Sequence, residues 1–304
     1  MTSLVTDSRR PAAPAARRRP GGLRRRTALL GWLFLVPLAI VNLGVVLGPS
    51  LQSVYYSFTD WSGIGDARFI GLANYARMLS DDEFGDALAH NLLWTLISLV
   101  IPTFLGLLGA FLLSRVRRGQ VLFRLAYFLP YTVASVVSAA VWRSLLSPTE
   151  GFGEVFGLNF LGDRALALPS VAFVNTWAFW GFLVVVYLSA MQAVNPALYE
   201  AAALDGAGAV RQFVSITLPS IRPTLVFMTM QTVIWSFLAF DFVYILTRGG
   251  PAGATEVLST YMYRTAFSDL DAGYASAIGI VLALLSGAIV AVYQILRRMR
   301  GWEA

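Results

Sequence analysis

Few side chains in this chain could make or break a covalent bond. Cysteine is absent, all 23 basic residues are arginine with no lysine, and histidine occurs once, at His90. Without cysteine there is no thiol nucleophile, disulfide framework or Cys-based zinc or iron–sulfur site. Without lysine there is no P-loop, because G-x-x-x-x-G-K-S/T sets its lysine on the nucleotide phosphates. His90 has no HExxH or triad partner in the sequence, and Asp269-Leu-Asp271 is a weak match to a D-x-D metal pattern. The chemistry left is non-covalent. It lies in hydroxyl, amide and aromatic groups inside apolar runs, in one carboxylate within such a run (Asp241), and in an alanine- and glycine-rich loop around Glu200.

The groups inside the apolar runs have helical spacing. Tyr131 and Ser135 stand four apart, just after Pro130, which is expected to kink their helix. Asn175 and Phe179 have the same spacing, and Thr232, Trp235, Ser236 and Ala239 fall at i, i+3, i+4 and i+7. Two readings stay open. One is glue between membrane helices, worth about 0.6 kcal/mol per contact. The other is a cavity in which aromatic faces stack on sugar C–H groups while hydroxyls and amides hydrogen-bond sugar hydroxyls. Ala239 lacks a polar handle for the second role. Asp241 could serve a proton-coupled carrier, but it lies only about 9 Å of helix from Thr247. A gate or a structural acceptor near the end of a span is the other reading.

The elements that hold these groups follow from hydropathy. Of 304 residues, 57% are hydrophobic and 13% charged, with a mean hydropathy of +0.65. That is about half the charge of an ordinary soluble domain, which excludes a disordered chain and argues against a soluble enzyme. A bilayer core of about 30 Å needs roughly 20 apolar residues per helix. Uncharged runs at 27–59, 87–114, 125–142, 165–199 and 272–296 meet that need, as does 223–247, which Asp241 alone interrupts. The predicted fold class is therefore an all-α membrane protein. Its six transmembrane helices fall at about 28–50, 90–114, 122–146, 170–193, 222–246 and 273–296. Six spans put both termini on one side. With that side cytoplasmic, 17 of the 23 arginines lie inside, as the positive-inside rule requires.

Residues 1–27 then read as a disordered basic cytoplasmic tail against anionic lipid, with no nucleic-acid role. Residues 28–296 form the membrane domain, and 297–304 a second cytoplasmic tail. The run after Arg26 exceeds the 7–15 residues of a signal h-region, so no cleaved signal peptide is expected. The acid-rich loops 51–89, 147–169 and 247–272 fall outside.

The loop 196–219 is the most specific segment. Pro196 suits the first turn of a helix capped by Asn195. Gly206 and Gly208 permit a sharp reversal, and a second short helix, Val210 to Thr217, is predicted to end before Pro219. Small residues at such an elbow let another backbone approach, and Glu200 offers a charge to a partner arginine. From spacing alone, a surface hairpin in the lipid interface fits equally.

Glu200, Ala201 and Ala202, then Gly206, then Ile216, Leu218 and Pro219 stand at the spacing of an EAA loop. This resembles the permease subunits of binding-protein-dependent ABC importers. Ser57-Phe-Thr-Asp-Trp61, Phe69-Ile-Gly-Leu-Ala-Asn-Tyr75, Leu129-Pro-Tyr131, Val174-Asn-Thr-Trp177 and Leu246-Thr-Arg-Gly-Gly-Pro251 resemble the sugar-importer branch, which includes maltose and glycerol-3-phosphate permeases. The resemblance spans about residues 28–296. It implies a type I importer fold in the inner or plasma membrane of a prokaryote, and transport of a sugar, a di- or oligosaccharide. Glycerol-3-phosphate-type transport is the alternative within the family; a stand-alone carrier using Asp241 and a membrane-bound sugar transferase are alternatives outside it.

By the same resemblance, Glu200, Ala201, Ala202, Ala203, Asp205, Gly206, Ile216, Leu218 and Pro219 couple to an ATPase dimer that carries the ATP and Mg. This chain would bind no cofactor or metal and would not be an enzyme. The partners implied are a second, distinct permease, an extracytoplasmic solute-binding protein, the sugar and membrane lipid. The substrate path would use Tyr131, Ser135, Asn175, Phe179, Thr232, Trp235 and Ser236, with Asp241 as gate or structural acceptor.

Overall fold

The computed structural model describes residues 21–116 and 118–299, which are helical apart from loops and one isolated antiparallel bridge between Thr59 and Phe69. Two compact units divide at residue 52. The first holds α1 (Gly21–Val41), a π turn (Asn42–Leu47) and the start of α2 (Gly48–Tyr56). Residues 1–20 of the expected tail and residues 300–304 lie outside the described residues. Residues 21–27 of the expected tail are helical and belong to α1.

The second unit follows in the order α3 (Ala73–Met78), α4 (Asp82–Ser114), α5 (Gln120–Thr132), α6 (Ser135–Leu145), α7 (Phe152–Phe156) and α8 (Arg164–Gln192). The elbow comes next: α9 (Pro196–Leu204), α10 (Ala209–Gln212), a π turn (Phe213–Thr217) and α11 (Leu218–Ser220). The chain then forms α12 (Arg222–Phe237), α13 (Asp241–Leu246), α14 (Leu258–Phe267) and α15 (Ala272–Met299). Among the described residues, five helical segments are long and apolar enough to cross a membrane: Gly31–Tyr56, Asp82–Ser114, Arg164–Gln192, Arg222–Leu246 and Ala272–Ile295. The pair α5–α6, bent by 92°, is the sixth candidate.

That bend corrects the expected continuous helix 122–146. Val133 and Ala134 are extended (ψ 132° and 136°), so the helix breaks instead of kinking. Pro130 removes one donor from the last turn of α5, and the Thr132 hydroxyl donates to Leu129 O at 2.7 Å, closing the turn. Tyr131 and Ser135 therefore belong to different helices and share no face. The expected helix 222–246 is also interrupted, at residues 238–240 between α12 and α13.

Helix α4 contributes to all three apolar clusters of the second unit. Phe84 and Ala87 pack with Phe237, Leu258, Tyr274 and Ile278. Trp94 packs with Trp142, Val171 and Val243, and Ala110 and Leu113 with Leu183, Tyr187 and Met228. Glycines set its approach to α8. A Cβ on Gly106 would lie 2.7 Å from Leu183 Cβ, and one on Gly109 2.7 Å from Val184 Cγ2. Close helix packing of this kind replaces the hydrophobic drive that lipid does not supply. Gly181 serves the α5–α8 contact, since a Cβ there would collide with the Tyr127 carbonyl.

Gly181→Ala is accordingly expected to cost about 1–3 kcal/mol of stability, read as a lower unfolding midpoint of the purified protein in detergent. Gly85→Ala, where nothing lies within 4 Å, is expected to hold or raise that midpoint.

Candidate functional site: a mid-helix cavity, an elbow and a charged end

Helices α4, α5, α8 and α12 enclose a cavity of about 230 Å³, lined by Trp94, Ser98, Tyr131, Asn175, Phe179, Thr232, Trp235, Ser236 and Ala239. Six of the seven residues expected on a substrate path meet here. Ser135 does not; beyond the break, its hydroxyl donates to Asp241 Oδ2 at 2.7 Å. Trp94 and Ser98 are additions. Their signal was present in the sequence as a Trp and a Ser four apart in the uncharged run 87–114.

The lining combines rings with unused polar groups. Tyr131 stacks on Phe182 at 4.7 Å between centroids, and Trp235 meets Phe179 edge-on at 5.4 Å. Ser98 and Thr232 are 5% and 3% exposed, and their hydroxyl oxygens have no hydrogen-bond partner among the described residues. A polar group buried in this way costs free energy unless something bonds it. Ser236 differs, since its Oγ lies 2.8 Å from Thr95 Oγ1, which donates to Asn91 O at 2.8 Å. It therefore also glues α12 to α4. Among the described residues, no arginine, aspartate or glutamate lines the cavity.

The elbow lies at the opposite end of α4 and α8 from their first residues. Asn195 Oδ1 accepts from Ala197 N at 3.0 Å and caps α9, as the sequence predicts. Gly206 turns the chain at φ +74°, a left-handed conformation that costs other residues about 1–2 kcal/mol. The Tyr199 hydroxyl meets Thr217 Oγ1 at 2.9 Å and staples the two arms. Phe213 packs on Phe111 of α4 at 4.7 Å, and the Arg115 guanidinium sits over the same ring at 4.7 Å.

The second arm corrects the expectation of a helix over 210–217 that stops before Pro219. Helix α10 ends at Gln212, the π turn follows, and Pro219 occupies the first turn of α11, where its missing N–H costs nothing. Glu200, Ala201, Ala203, Asp205, Gly206 and Pro219 are exposed, while Ala202, Ile216 and Leu218 are half-buried. Leu204 and Val210, absent from the sequence-derived set, are 91% and 70% exposed at the tip.

At the other end, charged side chains bind distant segments together. Arg264 bridges Glu83, Glu256 (3.2 Å) and Asp269 (3.4 Å). Arg77 pairs with Asp271 at 2.6 Å and lies 4.0 Å over the Tyr274 ring. The Tyr261 and Tyr274 hydroxyls both donate to Asp81 Oδ2 at 2.5 Å. His90 Nδ1 is 3.1 Å from Glu256 O. The Asp269-Leu-Asp271 pair is thus engaged by arginines, and among the described residues no group of three or more His, Asp or Glu is arranged to hold a metal.

Burial opposes ionisation of Asp81, but hydrogen bonds from Tyr261, Tyr274 and the Phe84 and Glu83 amides outweigh it and hold the carboxyl below its ordinary 3.8. Burial pushes Glu256 above its ordinary 4.5, against the pull of Arg264. The two groups act oppositely on stability. The Asp81 contribution is present above 3.8 and lost as pH falls through the lowered value; that of Glu256 is present below 4.5 and lost as pH rises through the raised value. In unfolding midpoints measured from about pH 3 to pH 7, Asp81→Asn is expected to flatten the acid limb, and Glu256→Gln the limb above 4.5.

Residues 102–301 match the family described as binding-protein-dependent transport system inner membrane component. The probable ABC transporter permease protein YurN of Bacillus subtilis is 37% identical, over 86% of this chain and 93% of that protein. The diacetylchitobiose uptake system permease protein NgcF of Streptomyces coelicolor is 35% identical, over 97% and 90%. A solved bacterial alginate ABC transporter, in complex with an alginate pentasaccharide-bound periplasmic protein, superposes with a TM-score of 0.81 at 25% identity, covering 93% of this chain and 98% of that one.

Proposed function

The chain belongs to the family of binding-protein-dependent transport system inner membrane components, and we propose that its substrate is a di- or oligosaccharide. It is a multi-pass membrane protein, the permease subunit of a binding-protein-dependent ABC importer. The carrying observation is that α4 joins substrate-type chemistry to the elbow: Trp94 and Ser98 face the cavity, and Phe111 meets Phe213. Tyr131, Asn175, Phe179, Thr232, Trp235 and Ser236 bind sugar hydroxyls and C–H faces in that cavity. Unpartnered Ser98 and Thr232 hydroxyls and the absence of charge in the lining support a neutral polyol. A phosphorylated solute would call for a guanidinium, which no lining residue supplies. The diacetylchitobiose named for NgcF agrees with this choice.

The elbow side is cytoplasmic in this proposal, with both termini, in keeping with the arginine bias. The exposed elbow, Glu200 to Pro219, seats in an ATPase subunit. ATP and Mg bind to the ATPase dimer, whose closure rocks α4 and α8. This chain performs no catalysis and holds no cofactor or nucleic acid. A second, distinct permease completes the pathway, an extracytoplasmic binding protein delivers the sugar, and the basic N-terminal segment meets anionic lipid. Ser135 and Asp241 tie α6 to α13, as a structural acceptor would.

In the assembled transporter, Glu200→Ala with Gly206→Val is expected to leave membrane insertion intact and lower sugar uptake by tenfold or more. The ATPase then turns over without transport; uptake by membrane vesicles, beside phosphate release, measures both. Sugar accumulation by the purified chain under a proton gradient, with no ATPase present, would falsify the proposal.

A further inference from the structure

On the side of the cavity away from the elbow, four rings form a continuous file. Phe240 and Tyr244 stack at 4.9 Å and 15°. Tyr263 of α14 stands edge-on to both, at 5.3 and 5.1 Å, and Phe267 extends the file at 4.8 Å. None of the four is buried, and Phe267 is 69% exposed. The file begins one residue beyond the cavity lining. Ala239 lines that cavity and directly precedes Phe240, and the Ser259 hydroxyl of α14 donates to the Ala239 carbonyl.

A row of Tyr and Phe near the end of a span could be an aromatic belt facing lipid. Asp241 argues against that. It lies within the apolar segment Arg222–Leu246, between Phe240 and Phe242, and it is exposed. A carboxylate at that depth is costly against hydrocarbon and belongs on a water-filled path. Its Oδ2 accepts from Ser135, and Oδ1 has no partner among the described residues. Ring faces beside a free carboxylate oxygen are what a sugar ring needs: C–H faces for stacking, and an acceptor for its hydroxyls.

Size gives the file a task. The cavity, at about 230 Å³, is smaller than the roughly 300–1,000 Å³ of sites that bury a drug-sized ligand. A substrate of several sugar units must extend beyond it. We propose that Asp241 and the file Phe240–Tyr244–Tyr263–Phe267 form a second carbohydrate subsite, which holds the sugar unit next to the one in the cavity. This rests on the sugar-permease reading above and adds a length preference: the permease favours chains of two or more units over a monosaccharide.

The test uses cells carrying the complete transporter, with radiolabelled glucose, trehalose, diacetylchitobiose and maltotriose as probes. Uptake at saturating sugar is normalised to the permease found in the membrane. Tyr244→Ala, Tyr263→Ala and Asp241→Asn are each expected to lower the maximal rate for two- and three-unit sugars by about threefold to tenfold. Glucose uptake stays unchanged, and Tyr263→Phe, which keeps the ring face, retains the full rate. Trp235→Ala, in the cavity, is expected to abolish uptake of every sugar carried. Unchanged rates in the three file variants, with Trp235→Ala inactive, overturn the subsite and leave the sugar permease standing. Unchanged rates in all four overturn both. A transporter that carries glucose alone, or none of the four probes, also overturns the subsite.

Discussion

The close approach of α4 to α8 is the constraint on which the second unit depends. Inside a bilayer, apolar surface gains nothing by leaving lipid for protein, so helices associate through fit and through polar contacts. Gly106 and Gly109 supply the fit, opposite Leu183 and Val184. With α4 and α8 locked at one end, α5 and α12 flank them and leave the cavity further along, where Trp94, Ser98, Asn175 and Phe179 are too large or too polar to close the gap. The same helix then reaches the charged end through the Asp81 cap and Glu83, and the elbow through Phe111 and Arg115. Three sites thus hang on one 33-residue helix.

The two interrupted spans follow a related rule. Irregular backbone at membrane depth survives only where it is buried in protein or borders water. The break at Val133–Ala134 and the break at residues 238–240 lie side by side, joined by Ser135 and Asp241. The second borders the cavity at Ala239, where freed carbonyls and N–H groups can find partners. The Ser259 hydroxyl takes up one of them, at Ala239 O.

Much of this was legible in the sequence because a bilayer enforces a simple code. Long uncharged runs located the spans, and i, i+3, i+4 spacing put Asn175 with Phe179, and Thr232 with Trp235 and Ser236, on shared faces, which the helices bring together with Tyr131 at one cavity. Spacing failed where the backbone left helical geometry. Tyr131 and Ser135 share a face only in a continuous helix, and one proline did not reveal that Val133 and Ala134 would be extended. Long-range pairing was equally hidden. Nothing local in Arg264 announces Glu83, 181 residues away. The tip residues Leu204 and Val210 look like ordinary apolar positions until their exposure is seen, because periodicity reports which residues share a face and not what covers it.

Those two tip residues would make the fold sensitive to the concentration of anything that covers them. Leu204 at 91% and Val210 at 70% exposure are apolar side chains that gain stability from whatever covers them. A partner that covers the elbow pulls the folded subunit forward by mass action, in proportion to the logarithm of its free concentration over its dissociation constant. Without such a partner, two large apolar side chains stay in solvent at an exposed turn, where proteolysis concentrates. A partner seated on the elbow would thereby tie the folded amount of this chain to its own concentration.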